Sequence, residues 1–198
     1  MGQLSTQHYI PPITISESNG NRPLEQWIYI STPSTSQVSY IIKPIGGGDD
    51  IIGYVSNDSP AKHTTETSSD SYNTQLIVAS SDSGSRLSNK GYLIEAEKPI
   101  YVSVRLTSIY QAGALVSKGA TALGQEFLLG SFANNTSSSG LANFFSLLAT
   151  EDNTEVEIRF PKVVVLKNVG STDLLSVRLN KDQTYVGMLD VTEAFNNR

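Results

Sequence analysis

Residues 101–106 read Tyr101-Val102-Ser103-Val104-Arg105-Leu106, and this strict alternation decides the fold class. Side chains along an extended chain alternate with a period of two. Val102, Val104 and Leu106 therefore point one way, and Tyr101, Ser103 and Arg105 the other. A strand with one apolar and one polar side is half-buried, as antiparallel sheets require. On one side of it, Tyr92-Leu93-Ile94-Glu95-Ala96-Glu97 leads in through Lys98-Pro99. On the other, residues 112–124 are the one helix candidate, but Gly113, Gly119 and Gly124 interrupt it. Glycine costs about 1 kcal/mol in a helix interior, so the stretch reads as strand and turn.

Further out the same signal recurs. Trp27-Ile28-Tyr29-Ile30 is a β-branched and aromatic run ended by Pro33, and residues 38–43 and 51–55 are two more, separated by the turn-forming Pro44-Ile45-Gly46-Gly47-Gly48-Asp49-Asp50. Residues 56–73 hold almost no large apolar side chain and read as a long polar loop. Strands are expected at 127–132 and 144–149, around a Ser/Asn loop at 134–140, and Glu151-Asp152-Asn153 is expected to turn the chain into a hairpin with 156–160. Residues 163–166, 174–179 and 185–191 complete the set. Strands and turns at this spacing indicate one all-β module over 1–198, an antiparallel β-sandwich.

Composition agrees. The 198 residues include 27 Ser and 16 Thr, with 38% hydrophobic and 17% charged residues, a balance suited to strands and hydroxyl-rich loops. A net charge of −5 disfavours nucleic acid and anionic lipid as partners. There is no cysteine, which excludes disulfides, thiolate chemistry and Cys-based metal sites. No apolar run approaches the roughly 20 residues of a membrane helix, so no membrane insertion is expected. The start, Met1-Gly2-Gln3-Leu4-Ser5-Thr6, lacks the basic and apolar regions of a signal peptide, although it matches the short N-myristoylation pattern.

Catalytic signals are sparse. His8 and His63 are the only imidazoles; His63 sits in the polar loop, where exposure is the default, and His8 near the terminus. Asp82-Ser83-Gly84 matches the short motif of aspartic proteases, but a single-chain enzyme needs two copies and one is present. No enzyme activity and no cofactor are expected. Calcium is the metal for which oxygen ligands exist: Glu151, Asp152 and Asn153 foremost, then Asp49 with Asp50, and Glu17, Asn19 and Asn21. None of these has EF-hand spacing, and Asp, Asn and Gly also build turns without a metal. For ligand binding, Trp27 and Tyr29 share a face of their strand, as do Tyr101 and Ser103. Rings can stack on a sugar while hydroxyls and amides bond to it, and they also serve as core. Tyr72, Asn134 and Asn135, in the polar loops, join Trp27 and Tyr29 as candidate ligand contacts, since sandwich loops commonly carry recognition.

A resemblance spreads from residue 8 to about 186. His8-Tyr9-Ile10-Pro11-Pro12, Ile28-Tyr29-Ile30-Ser31-Thr32-Pro33, Asn89-Lys90-Gly91-Tyr92 and Ala112-Gly113-Ala114-Leu115-Val116-Ser117-Lys118-Gly119 carry its first part. Ala122-Leu123-Gly124, Ala149-Thr150-Glu151-Asp152-Asn153-Thr154 and Leu179-Asn180-Lys181 carry the rest. Together they resemble the N-terminal region of large Bacteroidetes surface proteins that end in a gliding-motility-associated, type IX secretion sorting domain. That region belongs to the IgGFc-binding protein N-terminal domain family. The resemblance implies a non-enzymatic extracellular module at the bacterial cell surface, part of a long adhesin-like polypeptide exported by the type IX route. It implies no catalytic residues. The sequence has no sorting domain, and a signal peptide ending just before Gln3 would fit. Its expected partners are an extracellular glycan or protein ligand, or other surface-protein subunits; the alternative is a carbohydrate-binding module assisted by calcium.

Overall fold

The computed structural model describes residues 3–15, 23–66, 73–108, 112–130 and 143–190. In chain order the strands are β1 (Ser5–Ile10), β2 (Ile13–Thr14), β3 (Pro23–Ser31), β4 (Val38–Pro44), β5 (Ile51–Val55), β6 (Ala61–Glu66) and β7 (Ile77–Val78). They continue with β8 (Arg86–Leu87), β9 (Tyr92–Ser108), β10 (Ala112–Val116), β11 (Asn143–Leu148), β12 (Thr154–Leu166), β13 (Gly170–Leu179) and β14 (Thr184–Leu189). Two short 3₁₀ turns, Ser80–Asp82 and Gly119–Ala122, are the only helical pieces among the described residues. The fold is antiparallel and all-β, as the alternation requires; the short β2–β7 pair is parallel.

The deciding stretch is the second half of β9, which runs for 17 residues without a break. Its first half pairs with β1 and β4, Ile94 facing His8 on one side and Ile42 on the other. Its second half pairs with β3 and β10, Val104 facing Ile28 and Leu115. The change of partners falls at Glu97, Lys98 and Pro99, which are exposed. Proline has no N–H to give a ladder, and at the point where the strand passes from one set of partners to the other none is required. The seven-stranded sheet β5-β4-β9-β3-β6, with β1 and β10 alongside β9, thus curls until its inner faces share one core. Ile10, Ile28, Ile30, Val38, Ile42, Ile94, Ile100, Val102 and Val104 fill it. Each such side chain is worth roughly 1.5–3 kcal/mol when taken fully from water. Tyr40 of β4 bridges the interior to β6, its hydroxyl hydrogen-bonding His63 Nε2. It lies across Gly53, where a Cβ would fall 2.2 Å from the hydroxyl.

The second sheet, β11-β14-β12-β13 with β8 beside β14, gathers a separate cluster. Leu166, Leu175, Leu179 and Tyr185 are buried there, flanked by the partly exposed Phe145, Leu147, Ile158, Phe160 and Val177. Asn168, at φ +64° in the turn between β12 and β13, ties that turn to the 80–83 segment that leads into β8. Its side-chain amide donates to the carbonyls of Ser80, Ser81 and Ser83, satisfying acceptors that a one-turn helix leaves open.

Three expectations change. The strand expected at 127–132 is not formed in its described part: Phe127, Leu128 and Leu129 are 63%, 100% and 60% exposed with no ladder partner, because apolar propensity yields a strand only where an edge is present to pair with. The polar segment 56–73 contains strand β6, which pairs with β3. The chain turns at Glu151, Asp152 and Asn153, but β11 and β12 do not pair as a hairpin; β11 pairs with β14 and β12 with β13. The alternations at 101–106 and 144–149 both form strands, β9 in one sheet and β11 in the other.

Candidate functional site

Strand pairing assembles a surface on the outer side of the β10-β9-β3-β6 part of the curled sheet. In β3, Ile28 and Ile30 are fully buried, so Trp27, Tyr29 and Ser31 face outward. Tyr29 stands between Ser103 of β9 and Lys62 of β6, and Trp27 between Arg105 and Thr64. Ser31 faces Tyr101 across β9, and on the far side Val116 and Ala114 of β10 face Ser103 and Arg105. Cross-strand neighbours on one face are close enough for long side chains to interact.

The rings here carry cations. Lys62 Nζ lies 4.5 Å from the Trp27 ring centroid and 5.9 Å from that of Tyr29, and the Arg105 guanidinium lies 5.5 Å from Tyr29. Each such contact at an exposed site is worth about 0.5–1 kcal/mol, because the ring face is electron-rich. Among the described residues no carboxylate pairs with Lys62 or Arg105; the ion pairs are Lys43–Glu95, Arg159–Glu157 and Arg178–Glu155. Beside the cations runs an open groove of about 360 Å³, walled by Tyr29, Ser31, Pro60, Tyr101, Ser103, Arg105 and Val116 among others. A wider concavity of about 660 Å³ lies between β8, β13 and β14, with Arg86 and Arg178 at its walls. Its one aromatic residue, Tyr185, is 3% exposed, so it offers no ring to a ligand.

Of the candidate ligand contacts, Trp27 and Tyr29 come together on this face; Tyr72, Asn134 and Asn135 lie outside the described residues. Lys62 was hidden in what reads as a polar loop. Arg105 was visible as an outward residue of the alternating stretch, and its meeting with Tyr29 follows only from the β3–β9 register.

Glu151, Asp152 and Asn153 lie at the end of the other sheet, engaged in a turn-to-turn contact. Asp152 Oδ1 accepts from Lys181 N at 3.0 Å, Asn153 N donates to Asn180 Oδ1 at 3.2 Å, and Thr154 Oγ1 donates to Glu151 O at 2.8 Å. Among the described residues no three His, Cys, Asp or Glu side chains are grouped to hold a metal.

Both histidines are structural. His8 is fully buried. Its Nε2 faces the carbonyl oxygens of Ile100 and Ser5 at 3.0 and 3.2 Å, which only accept, so Nε2 bears the proton and Nδ1 accepts from Ser117 Oγ at 2.9 Å. Burial holds its pKa below 6.5. His63, expected to be exposed, is turned inward on Tyr40, and burial lowers its pKa as well; β6 is a strand, and its register puts His63 opposite buried Ile28. Ser83 is buried and donates to Ser80 O at 2.8 Å, and Gly84 N donates to Val186 O, so Asp82-Ser83-Gly84 is a turn that docks on β14.

Among the described residues no helix is long and apolar enough to cross a membrane. No curated protein and no solved structure matches the chain. The aromatic and basic strands β3 and β6 lie upstream of the one stretch that a family model does match: residues 112–192, from β10 through β14, are similar to the family described as IgGFc binding protein.

Proposed function

We propose that this chain is a non-enzymatic binding module of an extracellular, adhesin-like surface protein, and that its partner seats on the outer face of β10-β9-β3-β6. One observation carries the reading. Two rings, two cations with no carboxylate partner among the described residues and an open groove share a sheet face whose inward neighbours already form the core, so burial does not account for the aromatic residues there. The similarity of residues 112–192 to the IgGFc binding protein family supports an extracellular binding role. The resemblance to Bacteroidetes surface proteins supports type IX export and a place in gliding-motility-associated adhesion. The engagement of both histidines in structural bonds supports a non-catalytic role.

The test is to screen the chain against a glycan array and immobilised extracellular proteins, antibody Fc included, and to repeat every hit with Trp27→Ala and Tyr29→Ala. The expected result is a ligand bound at least about tenfold more weakly by the variants at unchanged melting temperature. A ligand held equally by parent and variants moves the binding surface elsewhere.

A further inference from the structure

Resting on that binding face, we infer that its ligand is an anionic polysaccharide, one carrying carboxylate or sulfate groups along the chain. Lys62 and Arg105 are held over Trp27 and Tyr29, so their positive charges stand at fixed places rather than sweeping through solvent. Among the described residues neither is neutralised by a carboxylate, and none of those that wall the groove is Asp or Glu. This is a local positive site on a chain whose net charge is −5, and a potential of opposite sign to the whole selects an anion at that place.

The rest of the face selects the kind of anion. A peptide commonly adds to a sheet through free backbone groups at an edge strand. Here Tyr29 and Ser103 lie in the inner strands β3 and β9, whose backbones are already paired on both sides, with the edge strands β6 and β10 beyond them, so at the centre of the face no backbone group is open to a peptide. Recognition falls to side chains. Tyr101, 38% exposed, offers an aromatic surface to an apolar sugar face. Ser31 and Ser103 in the groove offer hydroxyls to its alcohols.

The experiment measures retention of the full chain on immobilised polygalacturonate and heparin, with dextran as the neutral polymer and polyglutamate as the acidic peptide. Retention on at least one anionic polysaccharide is expected at about 50 mM salt, with most of it lost by about 500 mM as screening shortens the reach of exposed charges. Exposed charge pairs are each worth little, so Lys62→Gln and Arg105→Gln should each weaken binding about two- to fivefold, and together about tenfold, at unchanged melting temperature. Tyr101→Ala should weaken polysaccharide binding and leave any residual polyglutamate binding as it was. Equal binding by the double variant and the parent, or polyglutamate retained as strongly as the polysaccharides, overturns the inference, as does no retention on either polysaccharide. The binding-face reading fails separately: it stands if another ligand is lost in Tyr29→Ala and kept in the Lys62→Gln/Arg105→Gln variant.

Discussion

In the curled sheet the core residues Ile10, Ile28, Ile30, Ile42, Ile94 and Ile100 are all 0% exposed, whereas in the five-stranded sheet Phe145, Leu147, Ile158, Phe160 and Val177, packed on its core, are only partly buried. Both sheets are antiparallel and drawn from the same residue types. The difference is closure. The first sheet bends at residues 97–99 and covers its own inner face, while in the second only β14 is buried at nearly every position, its neighbours β11, β12 and β13 being half covered. Alternation specifies which side of a strand is apolar, and a second layer decides how completely that side leaves water.

The largest test of this contrast is a charge placed in each interior. Val104→Asp should cost about 4 kcal/mol or more, because Val104 is 4% exposed and packs in an apolar cluster. Val177→Asp, in the half-covered cluster, should cost less than half as much. Urea denaturation of the two variants checks it, and equal losses would break the distinction. Truncation is the next test: Ile28→Ala should cost about 3 kcal/mol and Ile158→Ala about 1 kcal/mol, since a cavity is expensive only where the surroundings cannot collapse or admit water. Asn168→Ala should cost about 1–2 kcal/mol by removing the side-chain amide that bonds to the carbonyls of Ser81 and Ser83. Urea midpoints of the parent and the variant measure the loss.

The curled sheet should also respond to acid. The folded pKa values of His8 and His63 lie below 6.5, so below about that pH the unfolded chain binds more protons than the folded one. Stability should therefore fall as pH drops from 6.5 toward the folded values, and urea midpoints at pH 7.5 and 5 measure the fall. A slope unchanged in His8→Asn would assign it to other groups. The smallest effect is Asp152→Ala, about 1 kcal/mol for the lost bond from Lys181 N. It should be the same with calcium or with chelator; a melting temperature that falls with chelator only when Asp152 is present would reveal a metal at this turn.

Long runs with large apolar inward residues are legible as strands, as in β3, β4, β5, β9, β11, β12, β13 and β14. The two-residue strands β2, β7 and β8 are too short to show a period, and β1 and β6 are hidden because their inward positions include His8 and His63. A buried imidazole satisfied by carbonyls or a tyrosine breaks the hydrophobic pattern without breaking the strand. The sequence reading divided β9 at Lys98-Pro99, where the residues do mark the bend but not an end. It read Phe127, Leu128 and Leu129 as a strand from propensity alone, which carries no information about a partner. At the binding face Trp27 and Tyr29 were legible as neighbours within one strand. Their meeting with Lys62 and Arg105 depends on register between segments more than 30 residues apart in the chain, which no local pattern encodes.

Sharing β9 between both halves of the curled sheet has a consequence in time. Among the described residues β1 pairs with β9 alone, whereas β3 and β4 each have one earlier partner, β6 and β5 respectively. A chain that emerges N-terminus first can therefore form the β3–β6 and β4–β5 pairs, but cannot join them and β1 over one core until β9, which ends at residue 108, has appeared. At about 5–20 residues per second that wait is roughly 5–20 s. Pairing across such separations is slow to nucleate, and throughout the interval the exposed isoleucines of β3 and β4 are open to aggregation or to capture by a chaperone.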